Sequence, residues 1–272
     1  MPGFRPIALI TGASSGIGAE LARVFAAHGH EVVMVARNEV QLAALADSIG
    51  AARHPRPHVL AVDLGRLDAG ARIGHELAAR GVEPAFVVNN AGFGLAGSAA
   101  ELDRDEQLAM VDLNVRSLTE LSLRWLESLA RHRGGLLNVA SVAGFFPGPT
   151  MAVYYASKAY VLSFTEALSQ ELAPKGVRVT ALCPGPVATG FQQRAGLASN
   201  ETPPLLGRSA AKVARDGYNA LMAGRRRVVP GIGNKLLASL PRVLPRGVLL
   251  NLIHSHQKGR RRASTGPQWP KR

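Results

Sequence analysis

The sequence predicts an α/β fold, a doubly wound parallel sheet with helices on both faces, in a single domain. Short apolar segments rich in β-branched residues alternate with segments of helical spacing from residue 6 to about residue 229. Strands covered on both faces read as such continuous apolar runs. The first of them also leads directly into a glycine-rich stretch, Thr11-Gly12-Ala13-Ser14-Ser15-Gly16-Ile17-Gly18, that opens the first helix.

The elements follow in order. Pro6 to Thr11 is the first strand, and Gly16 to His28 has helical spacing. Glu31 to Ala36 is the second strand, and Asn38 is placed to cap a helix running to about Ile49. His58 to Val62 and Ala85 to Asn89 are strands around a helix from Asp68 to Arg80. Asp103 and Glu106 form a capping box, which predicts one long helix to about Arg131. Leu136 to Ala140 is the fifth strand, Thr150 to Ala173 a helix, and Val177 to Cys183 the sixth strand. Ser209 to Ala223 reads as a helix and Arg227 to Val229 as a short last strand.

Composition narrows the class. The 272 residues are 47% hydrophobic and 19% charged, enough for a core. Apolar runs fall short of the roughly 18 residues that span a membrane. Ile7-Ala8-Leu9-Ile10 is too short for a signal-peptide core, so a cytoplasmic location is expected. Cys183 stands alone, which excludes an intrachain disulfide and leaves no metal pattern. The net charge of +13 is unevenly spread, because residues 225–272 hold twelve of the 32 basic residues and no acidic one. The remaining 20 basic and 19 acidic residues leave the first 224 residues near neutral. A basic tail on a neutral body argues against a nucleic-acid-binding body.

Two motifs carry chemistry. In the glycine-rich stretch, Gly12, Gly16 and Gly18 allow a tight turn and a close backbone approach to a pyrophosphate, with Ser14, Ser15 and Ile17 between them. The helix N-terminus behind them offers free N–H groups. In Tyr154-Tyr155-Ala156-Ser157-Lys158, Tyr154 and Lys158 share a helix face, and Ser141 lies thirteen residues upstream. A cation beside a phenol lowers its pKa, here toward a working acid or base. After the second strand the chain reads Val35-Ala36-Arg37-Asn38. An acidic residue in this place holds the ribose hydroxyls of NAD. Arg37 instead suits a 2′-phosphate, with Ser14 and Ser15 as hydroxyl donors.

These motifs, with Asn89-Asn90-Ala91-Gly92 and Pro184-Gly185-Pro186-Val187-Ala188-Thr189, resemble in order and spacing the classical short-chain dehydrogenase/reductase family over about residues 6–230. The resemblance implies a Rossmann-like fold and NADP(H)-dependent oxidoreductase activity on a carbonyl/alcohol pair, in the NADP(H)-preferring form. It implies that Tyr154 is the acid/base, with Ser141 on the substrate oxygen. Lys158 then binds the nicotinamide ribose and lowers the Tyr154 pKa together with the oxidised nicotinamide. Asn114 takes part in a proton relay through a water. Asp63 contacts the adenine, Asn90 with Ala91 and Gly92 lies near the adenosine ribose, and Thr189 holds the carboxamide. Pro184, Gly185 and Val187 face the nicotinamide ring. Tyr155 is a packing or wall residue.

Phe93, Leu95, Val142, Phe145, Phe146 and Phe191 follow the catalytic strands and suit a lipophilic carbonyl pocket without a fixed charge. The expected division is a catalytic domain over 1–230, an apolar and basic extension over 231–257 and a disordered basic tail over 258–272. The extension departs from the family pattern, which weakens the expectation of a tetramer and leaves a homodimer through the long helices. It suits packing on the body, and also peripheral contact with an anionic membrane surface. The alternatives are a non-catalytic NADP-binding sensor or interaction module, epimerase or dehydratase chemistry, and a tail-driven membrane or nucleic-acid binder. Retention of Tyr154, Lys158 and Ser141 speaks against the sensor.

Overall fold

The computed structural model describes residues 4–197 and 206–242, together with 244, 245, 247–251 and 253. The basic tail from residue 258 lies outside the described residues. β1 (Arg5–Thr11) leads to α1 (Gly16–Ala27), β2 (Val32–Ala36) to α2 (Glu39–Ala51) and β3 (His58–Ala61) to α3 (Ala69–Ala79). β4 (Val82–Asn89) is followed by α4 (Arg104–Val111), α5 (Leu118–Arg124) and α6 (Leu126–Arg131). Then come β5 (Gly135–Val139), α7 (Ala152–Leu172), β6 (Arg178–Leu182), α8 (Gly190–Arg194), α9 (Ala210–Met222), β7 (Arg227–Val228) and α10 (Ile232–Ser239).

The seven strands form one parallel sheet in the order β3-β2-β1-β4-β5-β6-β7. The chain winds outward from β1 in one direction and from β4 in the other. This reversal opens a crevice beyond the carboxyl ends of β1 and β4, where such sheets take ligands. Alternate residues of β1 serve opposite layers. Ala8 and Ile10 pack with Phe25, Leu42 and Leu221, while Ile7 and Leu9 pack with Ile73, Leu121 and Leu168. Both layers are closed, so a core lies on each face and the crevice is left at one end.

Four elements differ from the sequence reading. β4 starts at Val82, across Pro84, because the pairing with β1 skips Ala85 between Ile7↔Pro84 and Ala8↔Phe86. The bulge accommodates a residue that cannot donate to the ladder. The long helix expected from Asp103 is interrupted twice. The Asp103 carboxylate caps Glu106 N at 2.9 Å, as expected. From Asp112 to Ser117 the helix widens into a π stretch, and it breaks again at Trp125. α8 and α10 were not foreseen as helices. α10 ends before Pro241, consistent with prolines barring one long C-terminal helix. Among the described residues no helix is long and apolar enough to cross a membrane.

Candidate active site

The glycine loop is built with no space to spare. Gly12 and Gly16 have φ of 63° and 58°, in the left-handed region that favours glycine. A Cβ on Gly12 would lie 2.8 Å from Ala91 Cα, and one on Gly18 would lie 2.2 Å from Gly12 O. The loop is braced by residues the motif alone did not mark as structural. Thr11 Oγ1 donates to Val88 O and accepts from Asn90 N at 3.0 Å and Ala91 N at 3.2 Å. Asn90 Nδ2 donates to Thr11 O and Gly12 O, both at 3.1 Å. The Asn90 side chain therefore shapes the loop. Ser15 occupies the N-cap position of α1 without a side-chain capping bond, and Ser14 and Ile17 are half-buried beside it.

The other predicted cofactor residues surround the crevice. Arg37 is exposed beyond β2 and makes no ion pair with a described carboxylate. Asp63 caps a turn after β3, its Oδ1 accepting from Gly65 N at 3.0 Å. Thr189 caps α8, its Oγ1 accepting from Phe191 N at 3.4 Å, and its methyl faces Gly16. Pro184 O accepts from Val142 N at 3.0 Å, which ties the Pro184–Thr189 loop to the turn after β5. Gly185 and Val187 lie in that loop, with Val187 bridged to Arg208.

Ser141, at the end of β5, and Tyr154 and Lys158, one turn apart on α7, converge in the crevice and are all buried. The Ser141 hydroxyl accepts from Ala143 N at 3.1 Å and stands beside the Tyr154 phenol, where a hydrogen bond from it lowers the phenol's pKa. Burial nevertheless pushes Tyr154 up to about 12, against the lowering by that hydrogen bond. This balance is that of the protein's own groups, whereas the lowering expected from Lys158 together with the oxidised nicotinamide belongs to the cofactor-bound site. The Lys158 ammonium sits 6.0 Å from the Tyr154 ring centre and donates to Val139 O at 2.8 Å. Burial pulls Lys158 down to about 8. The protein's own groups thus hold Tyr154 as a neutral phenol, a proton donor.

Asn114 is fully buried in the π stretch. Its side chain receives Phe93 N at 3.1 Å and donates to Phe93 O at 2.9 Å and Ser157 Oγ at 3.1 Å. It fastens the loop after β4 to α7, with Ser157 as a partner that carried no sequence signal. Gly92 is the joint between these groups. A Cβ there would lie 2.8 Å from Asn114 Oδ1 and 3.6 Å from Lys158 Nζ.

Phe93, Met151, Tyr154, Leu95 and Phe191 pack together in one apolar cluster. Tyr155 packs against Gly148 and the edge of Tyr154. Val142 and Phe145 belong instead to a neighbouring core cluster, and Phe146 is also buried. Thr150, whose carbonyl accepts from Gly97 N at 2.7 Å, holds a φ of 65°, an outlier for a β-branched residue. The Arg194 guanidinium lies 4.2 Å over the Phe93 ring, a cation beside this cluster that the sequence reading did not place there. Burial and then the charge of Arg37 pull Arg194 below the usual guanidinium range. A lone arginine in a short helix gives no sequence signal of such a role.

Known proteins resemble this chain in sequence and fold. The chain is 36% identical over 188 residues to sulfoacetaldehyde reductase 2 of Chromohalobacter salexigens, covering 68% of this chain and 74% of that protein. A short-chain dehydrogenase from Sphingobium yanoikuyae in complex with NADPH superposes with a TM-score of 0.76 at 27% identity, covering 98% of each chain. A 3-ketoacyl-(acyl-carrier-protein) reductase from Brucella melitensis complexed with NADH gives 0.75 at 26% identity, covering 86% of this chain and 99% of that one. The profile of the short chain dehydrogenase family matches residues 6–199. The seven-stranded parallel sheet, the glycine loop at its first turn and that match together make this chain a member of the short-chain dehydrogenase family.

Proposed function

We propose that the chain is an NADP(H)-dependent oxidoreductase that moves a hydride between the nicotinamide and a carbonyl or secondary alcohol, with Tyr154 as general acid/base. The observation that supports it best is the convergence of buried Ser141, Tyr154 and Lys158 at the crevice. The cradle at Gly12 and Gly18, too tight for any Cβ, fits a dinucleotide backbone, and the unpaired Arg37 fits a 2′-phosphate. Gly16, Ser14, Ser15, Ile17, Asp63, Asn90, Ala91, Gly92, Pro184, Gly185, Val187 and Thr189 would complete the holding set. When bound, the nicotinamide supplies or receives the hydride.

In the reductive direction Ser141 holds the substrate oxygen by a hydrogen bond. Tyr154 gives that oxygen its proton. A phenol held near 12 is charged with its proton at neutral pH. Proton transfer of this kind is worth about 10²–10⁴-fold in rate. Lys158 keeps a positive charge at neutral pH and stabilises the phenolate that remains. Asn114 fixes the loop after β4 against α7, and the role proposed for it is to hold a water that relays protons to Lys158.

The apolar wall favours a lipophilic ketone or aldehyde, and Arg194 at its rim also admits an anionic group. Residues 1–230 form the catalytic unit in this reading. A cytoplasmic homodimer is the setting proposed for it, with peripheral membrane contact by the C-terminal segment. Tyr154→Phe tests the chemistry. The variant should bind NADPH as the parent does and lose turnover by about 10²–10⁴-fold. Turnover near the parent's would remove Tyr154 from the acid role. A panel of aliphatic, acyl, aromatic, steroid and sulfonated carbonyls, read by NADPH consumption, identifies the substrate class.

A further inference from the structure

Asn234, in the first turn of α10, is fully buried in a segment otherwise rich in apolar and basic residues. Its Nδ2 donates to Pro230 O at 2.9 Å and to Leu206 O at 3.1 Å. Its Oδ1 is buried without a partner, an arrangement that costs stability. The amide is pressed against Gly185, where a Cβ would lie 2.2 Å from Oδ1 and 2.5 Å from Nδ2. Such a side chain is costly to keep inside unless it holds something in place.

What it holds leads to the catalytic groups. Gly185 follows Pro184, whose carbonyl accepts from Val142 N at 3.0 Å and lies 3.5 Å from Ser141 Oγ. Pro186 O accepts from Arg208 N, and Val187 bridges to Arg208. Leu206, bonded by Asn234, begins that same returning segment. One turn further along α10, Ala238 is buried with Ala140, Val142 and Cys183. The C-terminal helix therefore packs on the ends of β5 and β6, beside the catalytic serine.

We propose that Asn234 is a positioning residue of the active site, which clamps the 184–187 loop beside Ser141 and ties it to residues 206–208. On the reading that this loop faces the nicotinamide, α10 sets how the nicotinamide half and the substrate are held. The adenosine half, at the other end of the crevice, is independent of it. Asn234 touches no reacting atom in this assignment and acts through Gly185.

The test uses the full chain with Asn234→Ala, and Gly185→Ala, which approaches the same contact from the other side. Affinities for NADPH and for ADP-ribose 2′-phosphate, which lacks the nicotinamide, are measured by calorimetry, and kcat/KM with a ketone from the panel. Both variants should keep the ADP-ribose 2′-phosphate affinity within about twofold and lose about tenfold or more in kcat/KM. A tenfold loss corresponds to about 1.4 kcal/mol. Equal losses for NADPH and the fragment would show a general folding defect and overturn the proposal, as would kcat/KM within threefold of the parent in both variants. A parent chain that binds neither compound, nor NADH, would overturn the cofactor reading itself, and this assignment with it.

Discussion

Lys158→Met should make the protein more stable while abolishing turnover. Lys158 is buried and its pKa is pulled from 10.5 to about 8 by desolvation. At 1.36 kcal/mol per unit, burying its charged form costs on the order of 3 kcal/mol. Methionine has nearly the same shape and carries no charge, and its substitution also forfeits the bond to Val139 O, worth about 1 kcal/mol. The net expectation is a gain of about 2 kcal/mol at pH 7. For a chain of this size that is about 4–8 °C in Tm.

The pH dependence separates this cause from better packing. Between about 8 and 10.5 the unfolded lysine is protonated and the folded one is not, so the unfolded state binds more protons and the parent gains stability as pH rises. The contribution is complete above the unfolded value and lost as pH falls through about 8. The stability gap between variant and parent should therefore close across that window. Urea unfolding of both proteins at pH 7, 8, 9 and 10 measures it. A variant less stable than its parent at pH 7, or two stability curves that run parallel through the window, would refute the reasoning.

Arg37→Glu places a carboxylate where the unpaired guanidinium stands. NADPH affinity should fall about tenfold to a hundredfold, as for loss of a charge-assisted pair, while NADH is retained or improved. Equal binding of both cofactors by the parent would remove Arg37 from the role. Gly18→Ala puts a Cβ 2.2 Å from Gly12 O and 2.4 Å from Asn90 Nδ2. An overpacking cost of about 1–3 kcal/mol should appear in urea unfolding, with at least a tenfold loss of cofactor affinity. Affinity equal to the parent's would mean that the loop is free to shift.

The sheet was legible because its strands, from Ile7-Ala8-Leu9-Ile10 to Thr180-Ala181-Leu182-Cys183, are apolar on both faces. The glycine loop and the Tyr154/Lys158 pair were legible because their spacing is imposed by backbone geometry. Side chains that act through tertiary packing were not. Asn90 reads as a ligand residue, and spacing gave no sign that its Nδ2 also braces Thr11 O and Gly12 O. The pKa of Tyr154 depends on burial, which spacing does not encode. Arg194 and Asn234 each stand alone in sequence and gain meaning from Phe93 and Gly185 across the fold. The widening at 112–117 leaves the apolar periodicity nearly untouched, so one continuous helix was the natural expectation.

That widening makes this stretch more sensitive to length than to composition. A π turn holds one residue more than an α turn. Deleting a residue between Asp112 and Ser117 would restore regular α-helix while leaving the flanking turns in nearly the same orientation, because the extra residue is taken up within the widened turn. Leu121 and Ser122 would stay in the core, while Asn114, inside the widened turn, would be drawn away from the Phe93 backbone and Ser157. Relatives with this site should therefore differ here by replacement and keep the residue count, while gaps and insertions gather in the turns between elements.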